Sequence, residues 1–440
     1  MDSSNTLTPE KIAAPNSDEP NSSAAISVDV TKEFRAAVND EATTDSRAAV
    51  NDEATTDSRV THADARTSVA ASTRPKSNDR VAALDGVRAL AILSVLTFHS
   101  GGPLGAIVCK RGGWLGVDIF FVLSGFLITG ILLKERARTN TISLKHFYLR
   151  RALRLTPVYV LFIAITILTS AHYCQNIWAA IGVAALYMVD YDVALSWGNI
   201  AGSGLEIAWS LAVEEKFYLV WPTLMKTFRN NLPQVTAAII CGAWLWKLFL
   251  NFQTSGPLAY SHYLGVGAAF DTKMDEIMLG CLASISLSND KIRSFFKKTL
   301  GREWVSIALL IVLFLFMRGM TVPGSVHNLE QRLMLWNVKL PLFCLGVTAL
   351  LVSLAVKPNS LVAKFLGLAP MAWVGRISYS LYLWHGLAFA VTTLYVFRNT
   401  MTISMSFMEV CNYAMAIAFA ACSYYLVEMP FLRLKEKLGH

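Results

Sequence analysis

The chain lacks the features that would place it among soluble or exported proteins. Only 16% of its 440 residues are charged, whereas 54% are hydrophobic. Its seven cysteines show no metal-ligand spacing, so no metal site is predicted. The first 25 residues have no apolar core of the kind found in signal peptides. Several apolar runs are long enough to span a bilayer, and we therefore expect an integral membrane protein.

Charge is divided unevenly along the chain. Residues 1–80 contain 14 acidic and 9 basic side chains, and the remainder contains 17 acidic and 30 basic ones. A basic membrane region fits loops that face anionic lipid and ligands that carry phosphate. The basic residues flank apolar spans and form no separate stripe, so nucleic-acid binding is not predicted.

The N-terminal region, residues 1–79, is predicted to be a disordered cytoplasmic tail. It is rich in Ser, Thr, Asp, Asn and Ala, and it contains RAAVNDEATTDS twice, at 35–46 and 47–58. This composition cannot bury a core, and two copies are too few for a repeat fold. A membrane domain over 80–435 and a cytoplasmic C-terminal end at 436–440 complete the predicted organisation.

The membrane domain is predicted to be all-α. Apolar segments lie near 82–100, 114–133, 155–171, 177–192, 207–225, 234–252, 274–288, 303–317, 335–355, 376–397 and 405–427. By the positive-inside rule, the basic runs at 134–154, 226–231, 291–302 and 433–438 are cytoplasmic. Residues 155–225 must then cross an even number of times, so we assign 177–192, which carries Asp190 and Asp192, as an interfacial or re-entrant segment. The result is a polytopic protein of the cytoplasmic membrane, with about ten transmembrane helices and both termini in the cytoplasm.

The first apolar helix carries Asp85, Arg88 and His99. Arg88 and His99 are 11 residues apart, which places them about 20° apart around the helix and about 16 Å apart along it. Ionisable residues inside a membrane span indicate a functional site. His99 is a candidate general base, and Arg88 would hold an anionic part of the substrate or a structural carboxylate. The alternative is that both side chains extend to the two membrane interfaces.

Two further apolar segments carry polar stripes. In WSLAVEEKFYLVWP, Ser210 and Glu214 share a helix face and Glu215 points about 100° away, so the two glutamates are expected to differ in role. In RISYSLYLWHGLAF, a second stripe consists of Ser378, Tyr382 and His385. The alternatives are a buried ion pair that only holds helices together, and a core histidine bonded to a neighbouring helix.

Three arginines precede another span, in HFYLRRALRLTP. Arg150, Arg151 and Arg154 are expected at the cytoplasmic end of that span, where guanidinium groups can bind phosphates. These arginines therefore fit a donor that carries a nucleotide. The alternative is ordinary anchoring at the membrane interface by positive charge.

Six motifs occur in an order that resembles the acyltransferase-3 family of integral membrane acyltransferases. They are LDGVRAL at 84–90 with the following His99, DIFFVLSGFLITG at 118–130, FYLRRALRLTP at 147–157, WSLAVEEKFYLVWP at 209–222, YSLYLWH at 379–385 and YYLVEMPFLRL at 424–434. The resemblance covers residues 80–435. It implies transfer of an acyl group, expected to be acetyl, from acyl-CoA to a hydroxyl of a glycan, a glycolipid or a glycosylated small molecule. No permanently bound cofactor is expected.

The resemblance also implies roles for individual residues. The family's arginine and histidine correspond to Arg88 and His99, its arginine pair to Arg151 and Arg154, and its glutamate to Glu214. Asp275 fits another family segment, in which Lys273 stands where an arginine is expected, so a bidentate contact there is in doubt. In the implied mechanism, His99 takes the proton of the acceptor hydroxyl and Glu214 orients the imidazole. An acyl-histidine intermediate is the other route that the residues allow.

Some family members carry an additional extracytoplasmic transferase domain. Because the printed chain ends at His440, we expect the membrane domain either to finish the transfer or to pass the acyl group to another protein. A proton-coupled transporter that uses intramembrane Glu and His is the competing function. It predicts internal repeats and helices broken at matching positions, and the sequence shows neither.

Overall fold

The structure is a computed structural model that describes residues 77–100, 102–108, 111–170, 176–201, 203–253, 265–320, 323, 328–398 and 404–438. The predicted tail, its duplication and the far C-terminal end therefore lie outside the described residues, apart from 77–79 and 436–438. Within the described ranges all regular structure is helical, which confirms the all-α prediction.

Eighteen α-helices are numbered here in chain order within those ranges. Their bounds are α1 Ser77–Ser100, α2 Pro103–Val108, α3 Gly116–Thr139, α4 Leu144–Ser170, α5 Ile177–Ala185, α6 Val189–Leu195, α7 Trp209–Thr227, α8 Leu232–Phe252, α9 Gly265–Ala268, α10 Phe270–Leu287, α11 Asp290–Thr299, α12 Glu303–Gly319, α13 Leu329–Leu333, α14 Leu340–Val356, α15 Leu361–Leu366, α16 Ala369–Arg398, α17 Met405–Ser423 and α18 Met429–Leu438. Short π-helical segments, Met334–Lys339 and Tyr424–Glu428, join α13 to α14 and α17 to α18.

Six helical segments are long and apolar enough to cross a membrane, and the number rises to eight if each of two bent helix pairs is one span. The predicted figure of about ten crossings is thus approximate. Helices α7 and α10 have the length of a span, but their charged side chains, such as Glu214 and Lys273, exclude them from a test based on hydropathy. Glu214 and Lys273 themselves are buried against other helices.

One of the two bent pairs is the segment that was predicted not to cross. The chain bends by 119° between helices α5 and α6, which is the geometry of a broken span or a re-entrant loop. Asp190 on α6 forms an ion pair with Lys216 on α7, and Asp192 accepts hydrogen bonds from Asn199 (2.6 Å from Nδ2) and from nearby backbone N–H groups. These bonds satisfy the two carboxylates inside the protein and attach the segment to α7.

Two sets of packed helices form the core that surrounds the polar residues. In one set, α16 packs against both α1 and α17; in the other, α10 packs against α3 and α8. Gly125 on α3 and Gly280 on α10 allow a close approach, because a Cβ at Gly280 would overlap the backbone oxygen of Val122 and one at Gly125 would overlap that of Ile277. Small residues at helix contacts are typical of membrane bundles.

Candidate active site

His99 lies in the last turn of α1 and is partly buried. Its Nδ1 is 2.9 Å from the backbone oxygen of Val95. A carbonyl oxygen can only accept a hydrogen bond, so Nδ1 carries the proton and Nε2 of the neutral ring has the free electron pair. In this tautomer, Nε2 is the nitrogen that can take up a proton.

His385 on α16 is a ring partner of His99 from another helix. The two ring centroids are 5.0 Å apart, with an angle of 48° between the ring planes. His385 is 0% exposed, and its Nδ1 is 2.6 Å from the backbone oxygen of Tyr382. Its Nε2 has no hydrogen-bond partner among the described residues. The structure therefore brings together two histidines that the sequence had assigned to separate stripes.

The polar stripes of α7 and α16 meet one turn from the histidines. The hydroxyls of Ser210 and Tyr382 are 2.6 Å apart, and both residues are fully buried. Ser378, the third member of the stripe, is also buried, at 4% exposure. The faces predicted from helical periodicity are therefore the faces in contact.

Glu214 is completely buried between α3 and α7. Its Oε1 accepts a hydrogen bond from Ser124 (2.8 Å), and its Oε2 accepts one from Tyr218 (3.2 Å). These contacts fix Glu214 one helical turn from Ser210. The expected bond between Glu214 and the His99 ring stays a prediction. Glu215 is only half-buried, which agrees with a separate role for the second glutamate.

The three arginines of α4 have different surroundings. Arg151 is buried, and its guanidinium carbon is 5.3 Å from the ring centroid of Phe147 and 5.1 Å from that of Tyr218. Arg150 is about one-third exposed and is 3.5 Å from a carboxylate oxygen of Glu135. Arg150 and Arg151 thus lie where α4 begins, beside the tyrosine that binds Glu214.

Arg154 pairs with the C-terminal part of the chain. Its Nη2 is 3.8 Å from Oε1 of Glu428, and both side chains are inaccessible to solvent. Ser380 donates a hydrogen bond to the other oxygen of Glu428, at 3.2 Å. The predicted role of Arg154 as a phosphate ligand stays a prediction, whereas its ion pair ties α4 to the Tyr424–Glu428 segment.

The remaining predicted site residues form buried ion pairs. Arg88 pairs with Asp85 on its own helix, and each residue is at most 2% exposed. The structural-carboxylate interpretation of Arg88 therefore describes the observed contact. Nζ of Lys273 is 2.6 Å from Asp118 and 2.9 Å from Glu276.

Lys247 completes this buried charge network from α8. Its Nζ is 2.6 Å from a carboxylate oxygen of Asp275, and both side chains are at most 4% exposed. The pairs of Lys247 and Lys273 connect α8, α10 and α3. Among the described residues, no group of three or more His, Cys, Asp or Glu side chains could hold a metal ion.

Sequence reasoning missed a cluster around Glu409 on α17. One oxygen of Glu409 accepts hydrogen bonds from Ser100 Oγ (2.7 Å), Tyr413 OH (2.9 Å) and the backbone N–H of Gly105 (3.0 Å). Ser100 directly follows His99, so this cluster fixes the chain next to the candidate base. The available signal was a single carboxylate within the last apolar segment, at 405–427.

These contacts align into a polar line through the bundle. It runs from Arg151 through Tyr218 and Glu214, continues at Ser210 and Tyr382 one turn away, and reaches the pair of histidines. Polar and charged groups, which are expensive to bury, thus lie next to one another along this line inside an apolar, helical membrane protein. Such a line defines a polytopic membrane protein with an internal polar site.

Comparison with known proteins identifies the family. The model of the acyltransferase-3 family, described as an acyltransferase domain, matches residues 81–427, and the chain belongs to this family. The family assignment made from the six motifs is confirmed.

Three relatives illustrate what this chain is similar to. The peptidoglycan O-acetyltransferase OatA of Listeria monocytogenes is 27% identical over 369 residues, which is 80% of this chain and 56% of the relative. The putative peptidoglycan O-acetyltransferase YrhL of Bacillus subtilis is 29% identical over 69% of this chain and 48% of its own length. The O-acetyltransferase OatA of Staphylococcus aureus is 28% identical over 79% and 56%, respectively. The chain thus spans about half the length of these relatives. No solved structure matches the chain.

Proposed function

We propose that this protein is a membrane O-acyltransferase that moves an acetyl group from acetyl-CoA to a hydroxyl of a cell-envelope glycan. The observation that carries the proposal is the polar line between Arg151 and the pair of histidines, within a chain of the acyltransferase-3 family. The relatives are named for O-acetylation, two of them for peptidoglycan, which makes a glycan hydroxyl the acceptor class to test first.

His99 is proposed as the general base. Its Nδ1 donates to Val95, so the electron pair of the neutral ring is on Nε2, and this atom would take the proton of the acceptor hydroxyl as the oxygen attacks the thioester carbonyl. The O–C bond forms, the C–S bond breaks, and the proton passes from His99 to the departing thiolate. Because His99 is partly exposed, an acceptor can approach it from its end of the bundle.

Arg150 and Arg151 are proposed to hold the phosphates of the donor. A guanidinium group matches phosphate geometry, and Arg150 is the more accessible of the two. By the positive-inside rule, the loop between α3 and α4 and both termini lie in the cytoplasm. The donor would then bind on the cytoplasmic side of the cytoplasmic membrane, and the polar line would lead from the donor site toward His99.

The test is transfer of radiolabelled acetyl groups from acetyl-CoA in membranes that contain the protein. The proposal predicts alkali-labile label in the envelope-glycan fraction, and no such label in membranes prepared without the protein. Label that is absent from both preparations, when purified envelope glycan is supplied as the acceptor, would overturn acetyl transfer from acetyl-CoA.

The competing function, a proton-coupled transporter, has less support. Its only structural basis is the presence of buried Glu and His, and an acyltransferase that moves a proton between acceptor and donor needs the same groups. Membership in the acyltransferase-3 family favours the enzyme.

A further inference from the structure

The two histidines have the same internal arrangement on different helices. In each ring Nδ1 is directed at a carbonyl oxygen of its own helix, Val95 for His99 and Tyr382 for His385. Both Nδ1 atoms must therefore donate, and both rings carry their electron pair on Nε2 when they are neutral. Helices α1 and α16 pack together, and the two rings meet between them.

The environments of the two rings differ in one respect. His99 is partly exposed, whereas His385 is completely buried and its Nε2 has no hydrogen-bond partner among the described residues. A buried acceptor atom without a donor is unfavourable and requires an explanation. The ring of His99, at a centroid separation of 5.0 Å, gains a donor N–H when its Nε2 takes up a proton.

We propose that His385 is the positioning residue of the base, and that it stabilises the positively charged ring that forms when His99 takes the proton of the acceptor hydroxyl. Glu214, the partner that the family resemblance implies, accepts hydrogen bonds from Ser124 and Tyr218, and the role proposed for His385 does not exclude it. The inference rests on the proposed function, because it assigns a role relative to the proposed base.

The physical basis is the dipole of the neutral His385 ring. Its bond to the oxygen of Tyr382 fixes the Nδ1–H side, so the electron-rich Nε2 side faces away from the backbone of α16. In a buried, low-dielectric site, such a fixed dipole interacts strongly with a charge on His99. The full burial of His385 also means that the ring itself is not the first group that an acceptor meets.

The test is a double-mutant cycle between positions 99 and 385. His385→Leu and His385→Gln are each made in the wild type and in His99→Gln, and the rate of acetyl transfer from radiolabelled acetyl-CoA to envelope glycan is measured at equal protein levels. Glutamine can place an amide oxygen near the position of Nε2, and leucine cannot. Thr392→Val removes another buried polar group of α16 and serves as the matched control.

The proposal predicts that His385→Leu lowers kcat roughly 10- to 100-fold in the wild type, as expected for the loss of a polar group that stabilises a buried charge. The KM for acetyl-CoA stays unchanged, and His385→Gln retains more activity than His385→Leu. In the His99→Gln background, His385→Leu causes no further loss, because residues that act as a unit are not additive.

An equal loss in both backgrounds, or a loss no larger than that of Thr392→Val, would overturn the role of His385. If His99→Gln alone keeps wild-type turnover, then the proposed base is wrong, and this outcome is separate from a failure of the cycle. Thermal unfolding of each variant in detergent identifies loss of activity that comes from loss of the fold.

Discussion

At the scale of single residues, the first turns of α4 show how burial separates similar side chains. Arg150 is partly exposed, Arg151 lies between two aromatic rings, and Arg154 is paired with Glu428. A phosphate ligand must be reachable by the donor, whereas a buried pair holds helices together. Three arginines that are equivalent in sequence thus have different capacities to bind a ligand.

We predict that Arg150→Gln raises the KM for acetyl-CoA with little change in kcat. Loss of an interaction between a charged group and phosphate corresponds to roughly a 10- to 100-fold change in binding. The reason is that such a contact is present both before and during the reaction, so its loss weakens binding uniformly. Initial rates over a range of acetyl-CoA concentrations measure both constants.

Arg229→Gln is the matched control for this experiment. Arg229 is an exposed arginine at the same end of the bundle, where it donates to Asn140 at 2.6 Å. It is expected to leave the KM unchanged. A fall in kcat at constant KM in Arg150→Gln would contradict the assignment of Arg150 to the donor.

Glu409 is predicted to fix the segment that follows His99. Glu409→Ala removes the acceptor that Ser100, Tyr413 and the N–H of Gly105 share, and a buried donor that loses its acceptor costs about 1–3 kcal/mol. We expect a lower unfolding temperature and reduced transfer, while Glu409→Gln, which retains a carbonyl oxygen, has a smaller effect. Val410→Ala, at a position that is 55% exposed, is the control. Equal unfolding temperatures for Glu409→Ala and the control would refute this role.

At the scale of helices, the sequence predicts which residues share a face but not which faces meet. Periodicity placed Ser210 with Glu214, and Tyr382 with His385, because spacing within one helix determines azimuth. The contacts of Tyr382 with Ser210, and of His385 with His99, depend on packing between helices that are distant in the chain. The expected contact between Glu214 and the His99 ring likewise depends on such packing, and it stays a prediction.

The same limit applies to the buried ion pairs. Arg154 and Glu428 lie in two motifs that the sequence singled out, yet nothing in their spacing connects them. The family resemblance singled out Lys273, but Asp118, which pairs with it, comes from α3. The sequence shows which residues are charged, but only the folded structure shows which of them form ion pairs.

Lys273 tests the contribution of these pairs to stability. Lys273→Met leaves Asp118 and Glu276 buried without their shared cation, and breaking a buried pair in this way costs about 3–5 kcal/mol. We expect a large drop in the unfolding temperature in detergent. Lys273→Arg, the residue type that the family resemblance led us to expect, keeps the charge and retains more stability.

A compensated variant provides the control for Lys273. In Lys273→Met combined with Asp118→Leu and Glu276→Leu, no buried charge of the triad remains, and stability is expected to recover partly. If Lys273→Met alone unfolds at the wild-type temperature, then the triad does not stabilise the contact between α3 and α10.

At the scale of the whole molecule, the proposed orientation places the α3–α4 loop in the cytoplasm and the α6–α7 loop outside. Thr141 lies in the first loop, and Trp197, which is 54% exposed, lies in the second. We predict that Trp197→Cys reacts with a membrane-impermeant thiol reagent in intact cells, and that Thr141→Cys reacts only in opened membranes. Labelling of the wild type measures the background reaction of the native cysteines. Labelling of Thr141→Cys in intact cells, with Trp197→Cys reacting only in opened membranes, would mean that the topology is inverted.

The central claim is that His99 is the base at one end of a polar line that begins at the donor-binding arginines. The most direct measurement compares wild-type and His99→Gln membranes, at equal protein levels, for transfer of radiolabelled acetyl groups from acetyl-CoA to envelope glycan. Glutamine preserves size and polarity but cannot take up the proton, so we predict a loss of about 10²- to 10⁴-fold in kcat. Near-normal turnover by His99→Gln would contradict the account.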